Sequence, residues 1–119
     1  LTGKDLTAYG DGTQTRSFCY VSDLVEGVYQ LLMSDLNKPV NIGNPIEMTI
    51  QQMAEKILKL CGTQSKIIYT PLPEDDPRVR QPNISKAKKH LKWGPKVKLD
   101  EGLKTTMEHF KEQLNISDR

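Results

Sequence analysis

The sequence holds little that could bind a metal or build a disulfide frame. Its two cysteines, Cys19 and Cys61, have neither the Cys-x-x-Cys spacing of a zinc or redox site nor the density of a disulfide scaffold. Only His90 and His109 could join them, so zinc is excluded and no metal site is expected. Charge of one sign is also lacking. Lys plus Arg number 17 and Asp plus Glu 15, a net of +2, which gives no reason to expect nucleic acid as a partner. No apolar run approaches the roughly 18 residues of a membrane span, and no membrane contact is expected of this segment. An initiating methionine is missing as well. Leu1-Thr2-Gly3-Lys4 reads as the interior of a longer protein, and a fragment is expected.

What remains is a chain of 119 residues, 36% apolar and 27% charged, sized for one domain or part of one. The charge is uneven. Residues 1–77 carry six bases and ten acids, whereas 78–119 carry eleven bases and five acids.

Leu6-Thr7-Ala8-Tyr9 is β-prone and stops at Gly10-Asp11-Gly12, a turn signal. Strand-like chemistry resumes at Ser17–Val21, so a hairpin over residues 6–21 is expected. Ser22 or Asp23 offers an N-cap for a helix carrying Leu24, Val25, Val28, Leu31 and Leu32 at helical spacing. Val40-Asn41-Ile42-Gly43 reads as a short buried strand or a turn. Thr49 caps a second helix with an apolar stripe of Ile50, Met53, Ala54, Ile57, Leu58 and Cys61, and Gly62 is placed to end it. Ile67-Ile68-Tyr69 is a strand, and the prolines of residues 71–77 enforce a loop. Asn83 caps a short basic helix through Leu91, Trp93 anchors its end, and Asp100 caps a last amphipathic helix. The class is α/β, with few short strands and about four helices. So thin a sheet suggests that some strands join others lying outside this chain.

Three segments are more polar than a bland fold needs. Tyr9 to Phe18 joins a glycine-punctuated turn to Arg16, whose planar fork suits phosphate. The same residues could form a hairpin loop with a surface arginine. Gly10-x-Gly12 lacks the third glycine and the following helix of a dinucleotide fingerprint. In the second segment Arg78 and Arg80 follow Glu74-Asp75-Asp76-Pro77 and could grip a diphosphate or carboxylate, or simply neutralise those acids. Asn41, in the third, could present its amide to a base or sugar, or serve as a turn residue.

Taken together, Leu6 to Val25, the run from Pro39 to Pro45, Pro71 to Trp93 and Leu99 to Phe110 resemble one family throughout. It is the extended short-chain dehydrogenase family acting on nucleotide sugars (NAD-dependent epimerases and dehydratases), and within it the UDP-glucuronate decarboxylase branch that forms UDP-xylose. Residues 1–119 would be its C-terminal nucleotide-sugar-binding portion. The NAD-binding Rossmann half is absent: no tyrosine here has the lysine four residues later that forms the family's catalytic pair.

The resemblance implies NAD in the parent enzyme and none bound by this segment. It also implies a UDP-sugar substrate and a homodimeric parent, cytoplasmic in bacteria or in the Golgi lumen in animals. It places Arg16 on the diphosphate, Tyr9 and Gln14 on the nucleotide side, and Arg80 toward the sugar; Asn41 and Arg78 stand beside them as substrate-binding candidates. Arg80 is the auxiliary catalytic candidate, and because a guanidinium stays protonated its role would be electrostatic. The alternatives are a dTDP-glucose 4,6-dehydratase, a UDP-sugar 4-epimerase, or a stand-alone interaction module using the basic stretch 78–104. The isolated chain is expected to release no carbon dioxide from UDP-glucuronate with NAD present; release, with full-length enzyme excluded, would contradict the missing catalytic pair.

Overall fold

Four short strands, three α-helices and one π-helical turn make up the regular structure of residues 1–116, the part of the chain that the computed structural model describes. In chain order these are β1 (Leu6–Tyr9), β2 (Thr15–Arg16), α1 (Val21–Leu32), β3 (Met48–Thr49), α2 (Ile50–Cys61), β4 (Ile67–Thr70), the π-helical turn (Ala87–Leu91) and α3 (Leu99–Gln113).

The expected hairpin does not form. β1 pairs in parallel with β4, Leu6 opposite Ile67 and Tyr9 opposite Thr70, and β2 pairs antiparallel with β3. The turn after β1 explains why. Gly10 and Gly12 adopt positive φ, and the Gln14 amide folds back to donate to the Tyr9 carbonyl at 2.7 Å. The carbonyls of Gly12 and Gln14 then accept from the amides of Gln51 and Ile50, both at 3.0 Å. The chain is thereby led across the start of α2 instead of back along β1. Residues 17–20, expected as strand, join no ladder, and Val21 already opens α1. Val40–Gly43 is neither strand nor regular turn; Val40 and Ile42 pack beside Trp93 instead.

The second helix forms as its sequence dictates. Thr49 and Gln52 make a reciprocal capping box, and Gly62 ends the helix in the left-handed region. Met53 and Ala54 are buried, and α2 packs on β1, where Ala8 points inward. Two other expected caps are otherwise engaged. Residue Asp23 does not cap α1, because its buried carboxylate accepts from the amides of Lys96 and Val97 at 3.0 and 2.9 Å. Asp100 lies inside α3, which starts after Lys98, and pairs with Lys56 at 2.5 Å, tying α3 to α2. The Asn83 carboxamide does accept the Ser85 amide at 3.0 Å before the basic turn.

Trp93 is 2% exposed and packs with Ile84 and Ala87, flanked by Cys19, Val40, Ile42 and Leu91. Its indole N–H donates to the Asp23 carbonyl at 2.9 Å, fixing α1 to this cluster. Gly27 permits that approach, since a Cβ there would sit 2.7 Å from Ile42 Cγ2 and 3.1 Å from Trp93 Cε2.

The molecule is flat, 49 × 37 × 18 Å, with a radius of gyration of 16.7 Å; about 13.5 Å is typical of this length. Its accessible surface is 8902 Å², against about 6,500 Å² for a monomer of this mass. Large apolar side chains are among the exposed residues. On α1 the stripe Val21, Val25, Val28 and Leu32 is 55–76% exposed, flanked by exposed Leu24 and Tyr29.

Gly27→Val is expected to lower the unfolding free energy by about 1–3 kcal/mol through overpacking. Gly94→Ala, where nothing lies within 4 Å of the new methyl, should stay within about 0.5 kcal/mol of the parent. Urea midpoints that fall equally for both would contradict this packing.

Candidate functional site

The chemistry gathers around β2, a strand of two residues with neighbours on both edges. On one edge Thr15 and Arg16 face Thr49 and Met48 of β3. On the other, the loop of residues 71–82 docks: the Thr15 amide donates to the Arg78 carbonyl at 2.7 Å, and Ser17 Oγ reaches the Arg80 carbonyl at 3.5 Å. The loop is held at its far end by Gln81, whose amide donates to the Pro45 carbonyl at 2.7 Å. The backbones of Arg78 and Arg80 thus lie along the strand that carries Arg16, although a long stretch of chain separates them in sequence.

Arg16 is the fixed member of the three. One end of its fork donates to the Thr15 carbonyl at 2.6 Å, and the other meets Asp76 at 2.5 Å. Arg78 and Arg80 are exposed. The Arg78 charge is also felt by Asp11, whose carboxyl is held below the usual aspartate range. Hydrogen bonds from the Thr13 hydroxyl and amide are the main cause there, and Arg78 is the smallest contribution.

Several amides of the glycine turn are already taken by acceptors within the chain. The amides of Gly10, Thr13 and Thr15 are engaged by the Thr70 carbonyl, the Asp11 carboxylate and the Arg78 carbonyl. Gln14 is 6% exposed and its amide closes the turn onto Tyr9, so it holds the loop in place, while the Tyr9 ring stays exposed at the end of β1. The Asn41 amide donates to the Asn83 carbonyl at 3.2 Å.

Nothing along this edge is built for nucleophilic or metal chemistry. Burial, with the Asp23 charge adding to it, pushes the Cys19 thiol up from its ordinary value, which disfavours the thiolate. No group of three His, Cys, Asp or Glu side chains is placed to hold a metal among the described residues. The glycine turn after β1 leads into β2 and not into a helix, unlike the turn of a dinucleotide fingerprint.

Residues 1–106 match the family described as GDP-mannose 4,6 dehydratase. The chain belongs to that family. It thereby falls among the extended short-chain dehydrogenases, and its curated relatives are enzymes. It is 49% identical over 116 residues to UDP-glucuronic acid decarboxylase 6 of Arabidopsis thaliana, covering 98% of this chain and 34% of the relative. The UDP-glucose 4-epimerase of Thermotoga maritima, solved with UDP-glucose, superposes with a TM-score of 0.89 at 33% identity, covering 94% of this chain and 36% of that one. A UDP-glucuronic acid 4-epimerase from Bacillus cereus, solved with UDP-glucuronic acid and NAD, gives 0.83 at 29% identity, covering 92% and 36%. The chain thus spans about a third of the length of each.

Within this dehydratase-family segment, one residue at the arginine edge escaped the sequence reading. Asp76 belongs to an acidic run that reads as a solvated turn, and nothing in local spacing links it to Arg16. The signal available was Arg16 itself, a cation beside a β-prone stretch with no acid at a neighbouring position to pair it.

Proposed function

We propose that this chain is the substrate-binding portion of an NAD-dependent UDP-glucuronate decarboxylase. The observation that carries the reading is the joining of Arg16, Arg78 and Arg80 along β2. UDP-glucuronate is charged at both its diphosphate and its sugar carboxylate, and a row of guanidinium groups is complementary to both. Identity of 49% to a plant UDP-glucuronic acid decarboxylase supports this substrate over others of the family.

In this account Arg16 takes the diphosphate, with Tyr9 exposed on the nucleotide side. Arg80, with Arg78 beside it, faces the carboxylate end. There it holds the leaving carboxylate or stabilises the negative charge that its loss leaves behind, as fixed cations do at developing anions. The chain's own residues bind and orient; the hydride chemistry that NAD supplies belongs to a part of the parent outside residues 1–119.

We infer that this other part covers α1. The face from Val21 to Leu32 carries no exposed charge, and the surface exceeds that of a compact monomer by about 2,400 Å². One side of a stable interface buries only about 800 Å². The second reading is a UDP-sugar 4-epimerase, favoured by the 0.89 superposition on the Thermotoga enzyme. Product analysis of the native protein separates the two: UDP-xylose with carbon dioxide, or a C4 epimer without it.

Arg16→Ala in the native protein is expected to weaken UDP binding about 10- to 150-fold, the loss of one charge-assisted contact of about 1.5–3 kcal/mol. An unchanged affinity by calorimetry would return Arg16 to a structural role beside Asp76.

A further inference from the structure

Of the three arginines along β2, Arg16 is the one fixed by a carboxylate among the described residues. The contact between its Nη2 and Asp76 Oδ1 is mostly shielded, with side chains 19% and 28% exposed. Asp76 is itself placed firmly: its amide donates to the Pro73 carbonyl at 3.2 Å, and Pro77 follows it. Glu74 and Asp75, its neighbours, are exposed and make no ion pair among the described residues. The acidic run therefore contributes one carboxylate to the site and leaves two in solvent.

A free arginine samples many rotamers and loses that freedom when it grips a ligand. Here the two contacts, on the Thr15 carbonyl and on Asp76, set the plane of the fork beforehand. They engage two of the five N–H donors and leave the others for a phosphate. The same pair also bridges β2 to the loop, next to the Thr15–Arg78 backbone bond.

We propose that Asp76 is a positioning residue for nucleoside-diphosphate binding. It holds the Arg16 guanidinium in place before the ligand arrives, and it clasps the loop to β2 so that Arg78 and Arg80 meet the same ligand. The proposal rests on the reading of Arg16 as the diphosphate contact.

The test is a double-mutant cycle read by UDP calorimetry on the native protein, with Arg16→Ala, Asp76→Asn and the double variant. Asp76→Asn is expected to weaken UDP about 3- to 30-fold when Arg16 is present, and by less than about twofold when Arg16 is already alanine, because its effect passes through Arg16. Affinity for uridine, which lacks phosphates, should not change. Circular dichroism and a thermal unfolding midpoint report that each variant is folded. Equal weakening in both backgrounds, or equal loss of uridine and UDP, would mean a merely structural residue and overturn the proposal. Tighter UDP binding in Asp76→Asn would overturn it too, revealing Asp76 as a competitor for Arg16. Unchanged UDP binding in Arg16→Ala defeats the diphosphate reading and this proposal with it. Weakened binding there beside an unaffected Asp76→Asn defeats this proposal alone.

Discussion

Asp23 and Trp93 hold α1 to the segment that leads into α3. The Asp23 carbonyl takes the indole N–H, and its carboxylate takes the amides of Lys96 and Val97. Three donors converge on one buried residue, two of them on a charged acceptor, the kind of bond worth about 1.5–3 kcal/mol. The clasp decides which way α1 faces. Gly27 turns inward beneath Trp93, so the valine and leucine stripe on the opposite side must face out. It also anchors Ile84 and Ala87, which fixes the point where the arginine loop ends.

The loop of residues 71–82 is therefore tethered twice. It leaves β4, which is locked in parallel register to β1, and it arrives at the Trp93 cluster. Between those anchors its path runs along the free edge of β2, where a backbone hydrogen bond and the Arg16–Asp76 pair hold it. A strand of two residues is enough for this because both of its edges are occupied. The positive edge is a product of topology, assembled from segments that no local pattern connects.

That difference governs how far the sequence could be read. Helices announced themselves through local signals: the Thr49–Gln52 box, the Gly62 stop and the stripe from Ile50 to Cys61 all appear where the residues place them. Strand partners did not, because β1 and β4 lie far apart in sequence and Gly10-Asp11-Gly12 looks like a hairpin turn whether or not a hairpin follows. The caps assigned to Asp23 and Asp100 failed for a related reason. A carboxylate near a helix start is a good cap until a more distant donor outbids the helix, as the Lys96 and Val97 amides and the Lys56 ammonium do. At the site, Arg16, Arg78 and Arg80 were legible as isolated cations suited to phosphate. Their joining followed only from the family resemblance and not from any local pattern, and the inward turn of Gln14 onto Tyr9 followed from neither.

A crystal structure of the native protein with UDP tests the central claim most directly, namely that the edge of β2 carrying Arg16 and the docked loop forms the diphosphate site. The account predicts phosphate oxygens within hydrogen-bond distance of the Arg16 guanidinium, with Arg78 or Arg80 on the same side of the ligand. A diphosphate bound away from β2, with Arg16 still contacting only Thr15 and Asp76, would contradict it.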